Sequence, residues 1–269
     1  MNDALTDTAA TLTLDDCLIP AWPVPPQVGA LVTTRRGGLS RAPYDSLNLG
    51  LHTGDLQADV LANRAALGTL IGARPGWLEQ VHECTVVDAA QALHAPTPMR
   101  ADASVTDEVG IACAVMVADC LPVLFYDTRG RAVGATHAGW RGLSLGVLEA
   151  TAQAVAQRAG EGAHIHAYLG PAIGPTAFEV GREVLDAFVD PAPAAERDAT
   201  RAAFVERDAL AQKYLADLYA LARLRLRRVG VTSITGGDAC TVSDSGRFYS
   251  YRRDRTTGRF AALIWLKAG

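Results

Sequence analysis

Two histidines and one cysteine sit in surroundings unlike those of core side chains. His82 stands in Gln80-Val81-His82, Cys120 in Ala118-Asp119-Cys120-Leu121-Pro122, and His137 in Thr136-His137-Ala138-Gly139-Trp140-Arg141-Gly142. Two imidazoles and a thiolate form a donor set for a borderline-soft divalent ion, zinc first and copper as the alternative. Three protein ligands leave one coordination position open, which distinguishes a catalytic zinc site from a structural one. No two of the three have zinc-finger spacing, so spacing alone leaves a metal centre and an inert core thiol equally open. The flanks add chemistry. Ala138-Gly139 admits close backbone approach, Trp140 supplies a rigid wall, and Arg141 offers a cation at a strand-to-helix turn, where free N–H groups favour anions.

Other candidates carry less. His94 lies in a polar loop before Pro96, and His164-Ile165-His166 is an H-x-H that alternation along a half-exposed strand explains as well as copper or zinc does. Cys84 can share a face with His82, Cys113 reads as core, and Cys240 reads as a structural loop residue. Thr34-Arg35-Arg36-Gly37-Gly38 is either a solvated basic turn or a place where Arg35 grips a phosphate or carboxylate bidentately. Gly170-Pro171-Ala172-Ile173-Gly174-Pro175 has neither the lysine of a P-loop nor dinucleotide-fingerprint spacing, and reads as a pocket wall. Ser250-Tyr251-Arg252-Arg253-Asp254 reads as a salt-bridged turn.

The elements that must position these residues follow from hydrophobic pattern and turn residues. Strands are expected at Ala30–Thr34, within the apolar run Ile111–Tyr126 that Ala118-Asp119-Cys120 and Pro122 interrupt, at Ala132–Thr136, at Val231–Thr235 and at Phe260–Leu266. Helices are expected from Asp55 to Ile71, from Ser144 to Ala159, and over Leu210–Arg227. Asp190–Arg201, rich in alanine, proline and charge, reads as a variable connection or lid. Strands and helices interleave without a strict βαβ rhythm, which predicts a mixed-sheet α/β or α+β domain. Residues 1–27 read as a loose lead-in, and 28–269 as a single domain.

Composition narrows the function classes. The chain has 269 residues, 49% of them hydrophobic, and a net charge of −4, so neither nucleic acid nor an anionic membrane is expected as partner. No apolar run approaches the ~18 residues of a membrane helix, and the acidic, polar first residues lack the pattern of a signal peptide. Five scattered cysteines without a CxxC pair predict reduced thiols and a cytoplasmic protein. Nothing in the composition fixes an oligomeric state.

Taken together, the segments around His82, Cys120 and His137, the Gly170–Gly174 loop and the Ser250–Asp254 segment resemble the YfiH family, also known as laccase-domain proteins, polyphenol oxidases or peptidoglycan-editing factors. Thr34-Arg35-Arg36-Gly37-Gly38-Leu39-Ser40 and Ser46-Leu47-Asn48-Leu49-Gly50 are similar to its N-terminal pattern, although Leu39 replaces the commoner valine. The resemblance begins near residue 28. It implies a single-domain α/β sandwich with mixed β-sheets flanked by helices, and a metal held by His82, Cys120 and His137. It also implies purine nucleoside phosphorolysis (adenosine, inosine, guanosine, methylthioadenosine), adenosine deamination, and purine nucleoside and phosphate as partners.

On that basis the expected enzyme is a zinc-dependent purine nucleoside phosphorylase with adenosine deaminase activity. Arg35 or Arg141 would hold the anionic nucleophile with the metal, Asp102 or Asp119 would orient a ligand histidine or shuttle a proton, and Asn48 would contact substrate. A copper-dependent phenol oxidase is the rival, weakened because six histidines with one H-x-H cannot build a trinuclear cluster. A second rival is a hydrolase of cell-wall precursors with Cys120 as nucleophile and His137 as base.

Overall fold

The apolar run from Ile111 to Tyr126 becomes two strands that belong to different sheets, Ile111–Val117 and Leu121–Asp127. Both are buried on both faces, so neither shows the polar alternation of a half-exposed strand. Their side chains still alternate in direction. Cys113, Val115 and Val117 meet Leu124 and Tyr126 in a core between the two sheets. Ala112, Ala114 and Met116 pack on the outer side of the first sheet, and Leu121, Val123 and Phe125 on the outer side of the second.

The computed structural model describes residues 12–268. The first sheet runs Cys17–Leu18, Val28–Thr33, Phe260–Leu266, Ile111–Val117, Arg74–Gly76, antiparallel except for its last pair. The second runs Ser233–Gly236, Ile165–Leu169, Leu121–Asp127, Val133–Ala138, Ala103–Thr106, Val86–Asp88, with parallel pairs at its two edges and antiparallel pairs between. Helix Gln57–Ile71 covers the outer face of the first sheet through Leu67 and Ile71, and ends where Gly72 takes a left-handed φ of 62°. Helices Val147–Ala159, Arg182–Val189 and Leu218–Arg228 cover the second. The architecture is therefore a helix–sheet–sheet–helix sandwich with mixed sheets, as expected.

Several boundaries differ from the sequence pattern, each for a local reason. The helix expected over Ser144–Ala159 is two helices, Trp140–Leu145 and Val147–Ala159, because Gly146 adopts φ 100° between them. The amphipathic stretch from Leu210 is a strand, Lys213–Ala216, in a small third sheet, and the helix starts at Leu218 once the Asp217 side chain caps the Ala220 N–H. Val231–Thr235 is a short edge strand, Ser233–Gly236, not a buried one. Asp190–Arg201, expected as a variable connection or lid, carries a 3-10 turn and most of helix Arg197–Ala202, and is tied to Arg228 through Glu196 at 2.6 Å. The expectation of a loose lead-in falls partly on residues 1–11, which lie outside the described residues. From Cys17 onward that segment joins the fold: it adds an edge strand, and buried Trp22 packs its ring edge-on against Tyr126 with centroids 4.8 Å apart. Among the described residues no helix is long and apolar enough to cross a membrane.

Candidate metal centre and active site

The chain passes from the first sheet to the second through three residues, Ala118-Asp119-Cys120, so Cys120 is delivered to one end of the sandwich. Strand register pairs His137 with Pro122 and Ala138 with Leu121, which brings the end of the His137 strand beside Cys120. His82 arrives from the loop after Leu78–Glu79. Each of the three offers one ligand atom, and these atoms lie within 4.8 Å of one another. Cys120 Sγ is 3.9 Å from His82 Nε2, and the two imidazoles stand nearly perpendicular at 85° with centroids 4.7 Å apart. Close approach makes glycine necessary next door: a Cβ on Gly139 would lie 2.9 Å from His82 Cδ2 and 3.1 Å from Cys120 Sγ.

Asp102 holds this geometry. Its carboxylate is completely buried and accepts from His137 Nδ1 at 2.7 Å and from the backbone N–H groups of Val81, His82 and Glu83 at 3.2, 2.9 and 2.8 Å. A carboxylate can only accept, so Nδ1 carries a proton, and Nε2 is the His137 atom left to face the centre. The three amide bonds also hold His82 at φ 63°, a left-handed conformation that costs a non-glycine residue about 1–2 kcal/mol. Burial works against the charge of Asp102, but hydrogen bonds from His137 and Glu83 outweigh it and hold the carboxyl below its ordinary value.

The same logic sets the charges of the ligands when no metal is present. Burial pushes the Cys120 thiol up, but His137 and His82 beside it more than reverse this, bringing it from 9.0 to about 6. Burial would lower His137, yet the Cys120 thiolate and Asp102 raise it from 6.5 to about 9. The two shifts share one cause, since each group favours the charged form of the other. One thiolate and two imidazoles with a fourth direction open fit a borderline-soft divalent cation. No other group of three such side chains converges among the described residues.

The three donors open onto a cavity of about 580 Å³, in the size range of small-ligand clefts. Gln80 anchors its edge by donating to the Met116 carbonyl at 2.7 Å and accepting from the Met116 N–H at 2.8 Å. Besides the exposed Glu79, the rest of its polar chemistry comes from three residues, His52, Tyr251 and Arg259. None of these three carried a functional signal in the sequence. Tyr251 belongs to the Ser250–Asp254 turn, where Arg253 pairs with Asp254, and that turn does the positioning. Arg252 donates to the carbonyls of Ala177 and Glu179, and Arg253 to those of Thr241, Val242 and Phe248.

Three expected site residues are placed elsewhere. Arg35 pairs with Asp45 at 3.3 Å and donates to the Ser245 carbonyl in a separate, open depression. Arg141 is exposed, with its guanidinium 4.4 Å over the Trp140 ring, and does not line the cavity. Asn48 is buried, and its Oδ1 accepts from the backbone N–H groups of Gly50 and Arg259, so it contacts the cavity only through Arg259. Of the two aspartates, Asp102 orients a histidine and Asp119 does not. Asp119, at φ 92°, instead accepts from Thr241 Oγ1 and the Arg252 N–H, both at 2.6 Å. The Gly170–Gly174 loop buttresses that turn, with the Ile173 N–H donating to the Asp119 carbonyl at 2.9 Å. His166 is buried against Tyr126, its Nδ1 3.1 Å from the phenol oxygen, while His164 is exposed, so the H-x-H assembles no centre.

Residues 29–267 match the family model described as multi-copper polyphenol oxidoreductase laccase. The chain is 50% identical to purine nucleoside phosphorylase YfiH of Escherichia coli over 93% of its own length and 98% of that protein. The chain belongs to the YfiH, or laccase-domain, family. It is also 52% identical to a purine nucleoside phosphorylase of Pseudomonas aeruginosa, across 93% of this chain and 98% of that one. A crystal structure of a Neisseria meningitidis protein superposes with a TM-score of 0.86 at 49% identity, covering 94% of this chain and all of the other. A crystal structure of YfiH from Bacillus licheniformis gives 0.83 at 32% identity, covering 94% and 98%. The fold these proteins share positions the triad here: the sheet-to-sheet link and a strand end supply two of the three donors.

Proposed function

We propose that this chain is a zinc-dependent purine nucleoside phosphorylase with adenosine deaminase activity, working in the cavity beside His82, Cys120 and His137. The observation that carries the reading is the convergence of three metal donors on one cavity of nucleoside size, in a chain half identical along its length to proteins named purine nucleoside phosphorylase. In phosphorolysis a phosphate oxygen bonds to the sugar C1′ while the C1′–N9 bond breaks. Its electron pair leaves with the purine, which takes up one proton, and the products are free purine and ribose 1-phosphate. In deamination water replaces ammonia at C6 of adenosine.

A bound zinc supplies Lewis acidity at its open position. The chain's own residues do the rest. Asp102 fixes the tautomer of His137 and the backbone of His82, so that both imidazoles are pre-aimed before the ion arrives. Gly139 lets the ligands approach, and Gln80 ties the His82 loop to the end of the Met116 strand. Met116 and Tyr251 offer apolar and aromatic walls to a purine or ribose. Five free cysteines fit the reducing cytoplasm, where nucleosides and phosphate are both present.

One observation favours a second reading. Cys120, His137 and Asp102 form a relay like that of a cysteine hydrolase, with a thiol brought down to about 6. His82 argues for the metal, because a hydrolase has no use for a second imidazole 3.9 Å from its nucleophile. The deciding experiment incubates metal-quantified protein with adenosine, with and without phosphate, and separates adenine, inosine and ribose 1-phosphate by chromatography. Phosphate-dependent adenine that disappears on chelation and returns with zinc is the expected result. Persistence of turnover after chelation, or identical behaviour of His82→Ala, defeats the metal enzyme. Copper-dependent phenol oxidation as fast as nucleoside cleavage defeats the choice of reaction.

A further inference from the structure

The cavity has an uneven charge. Three basic side chains gather at one corner: Arg259 and His52 on the cavity itself, and Arg64 in an adjoining lobe that shares His52 and Met116 with it. The one acid on the cavity lining is Glu79, which is exposed. No carboxylate among the described residues lies within ion-pair distance of Arg259, although Arg259 is half-buried. Its Nη1 donates to the carbonyls of Thr257 and Gly258, at 3.0 Å each, which fixes the plane of the guanidinium. Burial and the neighbouring charges of Arg259 and Arg64 push His52 below its ordinary value, as expected beside two cations.

This arginine is built in, not draped over the surface. Its backbone N–H donates to Asn48 Oδ1 at 2.9 Å, and its carbonyl accepts from the Leu49 N–H at 3.0 Å, so the start of the last strand is stapled to the loop that carries His52. Gly50 leaves room for its stem, since a Cβ there would lie 2.9 Å from Arg259 Cγ. Tyr251 flanks the guanidinium with its ring centroid 6.0 Å away. A partly desolvated cation without a carboxylate partner is costly, and a bound anion reduces that cost. A planar guanidinium with free N–H edges matches a tetrahedral oxyanion bidentately.

We propose that Arg259, supported by His52 and by Arg64 behind it, forms the oxyanion subsite of this cavity and takes inorganic phosphate. Asn48 is its positioning residue. The assignment rests on the phosphorylase reading for the identity of the anion as a substrate, but anion binding itself does not. It moves the anion-holding role from Arg35 and Arg141 to an arginine that opens a buried strand.

The test measures phosphate binding and turnover separately, on zinc-loaded protein. Calorimetric titration with inorganic phosphate, without nucleoside, compares wild type with Arg259→Gln, Arg259→Lys and His52→Gln. Expected are at least tenfold weaker binding in Arg259→Gln, partial recovery in Arg259→Lys, and about threefold weakening in His52→Gln, whose exposed site does not endanger folding. With adenosine as substrate, the KM for phosphate should rise in parallel, while the KM for adenosine changes less than twofold. Phosphate affinity within twofold of wild type in a folded Arg259→Gln protein, or no phosphate binding by wild type, overturns the subsite. If wild type binds phosphate through Arg259 but releases no ribose 1-phosphate, the subsite stands and the phosphorylase reading falls. If phosphorolysis proceeds with an unaltered phosphate KM in both arginine variants, the reading stands and the subsite falls.

Discussion

Replacing Asp102 by asparagine exchanges one carboxylate oxygen for an amide NH2 and tests the central claim about the site. Oδ1 of Asp102 accepts from His137 Nδ1 and the His82 N–H, and Oδ2 from the Val81 and Glu83 N–H groups. An asparagine has one accepting oxygen, so in either orientation its amide group faces two donors. Two hydrogen bonds to a charged acceptor are lost, at about 1.5–3 kcal/mol each, or about 3–6 kcal/mol together. With a urea slope of ~3 kcal/mol/M, the midpoint of the metal-free protein should fall by about 1–2 M. If the oxygen faces His137, the Val81 and Glu83 N–H groups are released; if it faces those two, the His82 N–H is released and the imidazole loses its tautomer. Either outcome should weaken zinc binding by about ten- to a hundredfold, the usual effect of losing a ligand's supporting hydrogen bond. Urea melts of metal-free protein and zinc competition against a chromophoric chelator read the two effects independently. A midpoint shift below about 0.3 M, ~1 kcal/mol, with zinc affinity within threefold of wild type, would refute the view that this carboxylate holds the centre together.

Three further perturbations follow from the same geometry. Gly139→Ala is allowed by its backbone φ of −62°, yet its methyl would crowd His82 and Cys120; zinc content should drop at least tenfold at nearly unchanged thermal stability, and a fully loaded, fully active variant would contradict this. In metal-free protein, alkylation of Cys120, followed on its peptide by mass spectrometry, should rise through an inflection near pH 6, and His137→Ala should move that inflection up; a wild-type inflection near 9.0 would dismiss the pair. The linked stability has a defined window: the depressed thiol loses its contribution as pH falls through about 6, and the raised imidazole loses its own as pH rises through about 9, so metal-free protein should be most stable between them. Asn48→Ala removes a buried side chain that accepts from Gly50 and Arg259 and donates to Thr53 and Asp55; a loss of about 2–4 kcal/mol and a raised KM for phosphate are expected, and a normal phosphate KM would detach it from Arg259.

The donors were legible in the sequence because each ligand stands where the chain must leave a sheet. A charged residue inside an apolar run, as at Asp119, marks where the first strand stops, and Pro122 stands at the start of the next, so the stop lies between two sheets. A histidine followed by Ala138-Gly139 marks a strand end at which backbone and ligands come into contact. Asp102 was visible only as one of two candidates, since nothing local distinguishes a carboxylate that accepts four hydrogen bonds from one on the surface. Arg259 and His52 were not legible at all. Arg259 is 139 residues from Cys120 in sequence (259 − 120), and what brings them together is the pairing of Phe260–Leu266 with Ile111–Val117, a contact no local pattern encodes. Arg35 and Arg141 misled for the opposite reason. Both adjoin motifs that do matter, but Arg35 spends its charge on Asp45, and the direction of helix Trp140–Leu145 turns Arg141 outward.

The charges of the centre and of its corner complement one another. The metal donors bring one thiolate and, one layer back, the Asp102 carboxylate; the same cavity lining brings Arg259 and His52, and Arg259 feels the charges of Cys120 and Asp119. A divalent ion bound by the triad would cancel the thiolate and add net positive charge, leaving the whole cavity in need of an anion. Zinc and phosphate should therefore bind with positive coupling, each tightening the other by the same factor. Titrating phosphate into metal-free and zinc-loaded protein measures that factor in one direction, and zinc competition with and without phosphate measures it in the other. A several-fold enhancement, equal in both directions and abolished in Arg259→Gln, is what the charge distribution requires; independence of the two ligands would mean that the corner and the metal centre serve different molecules.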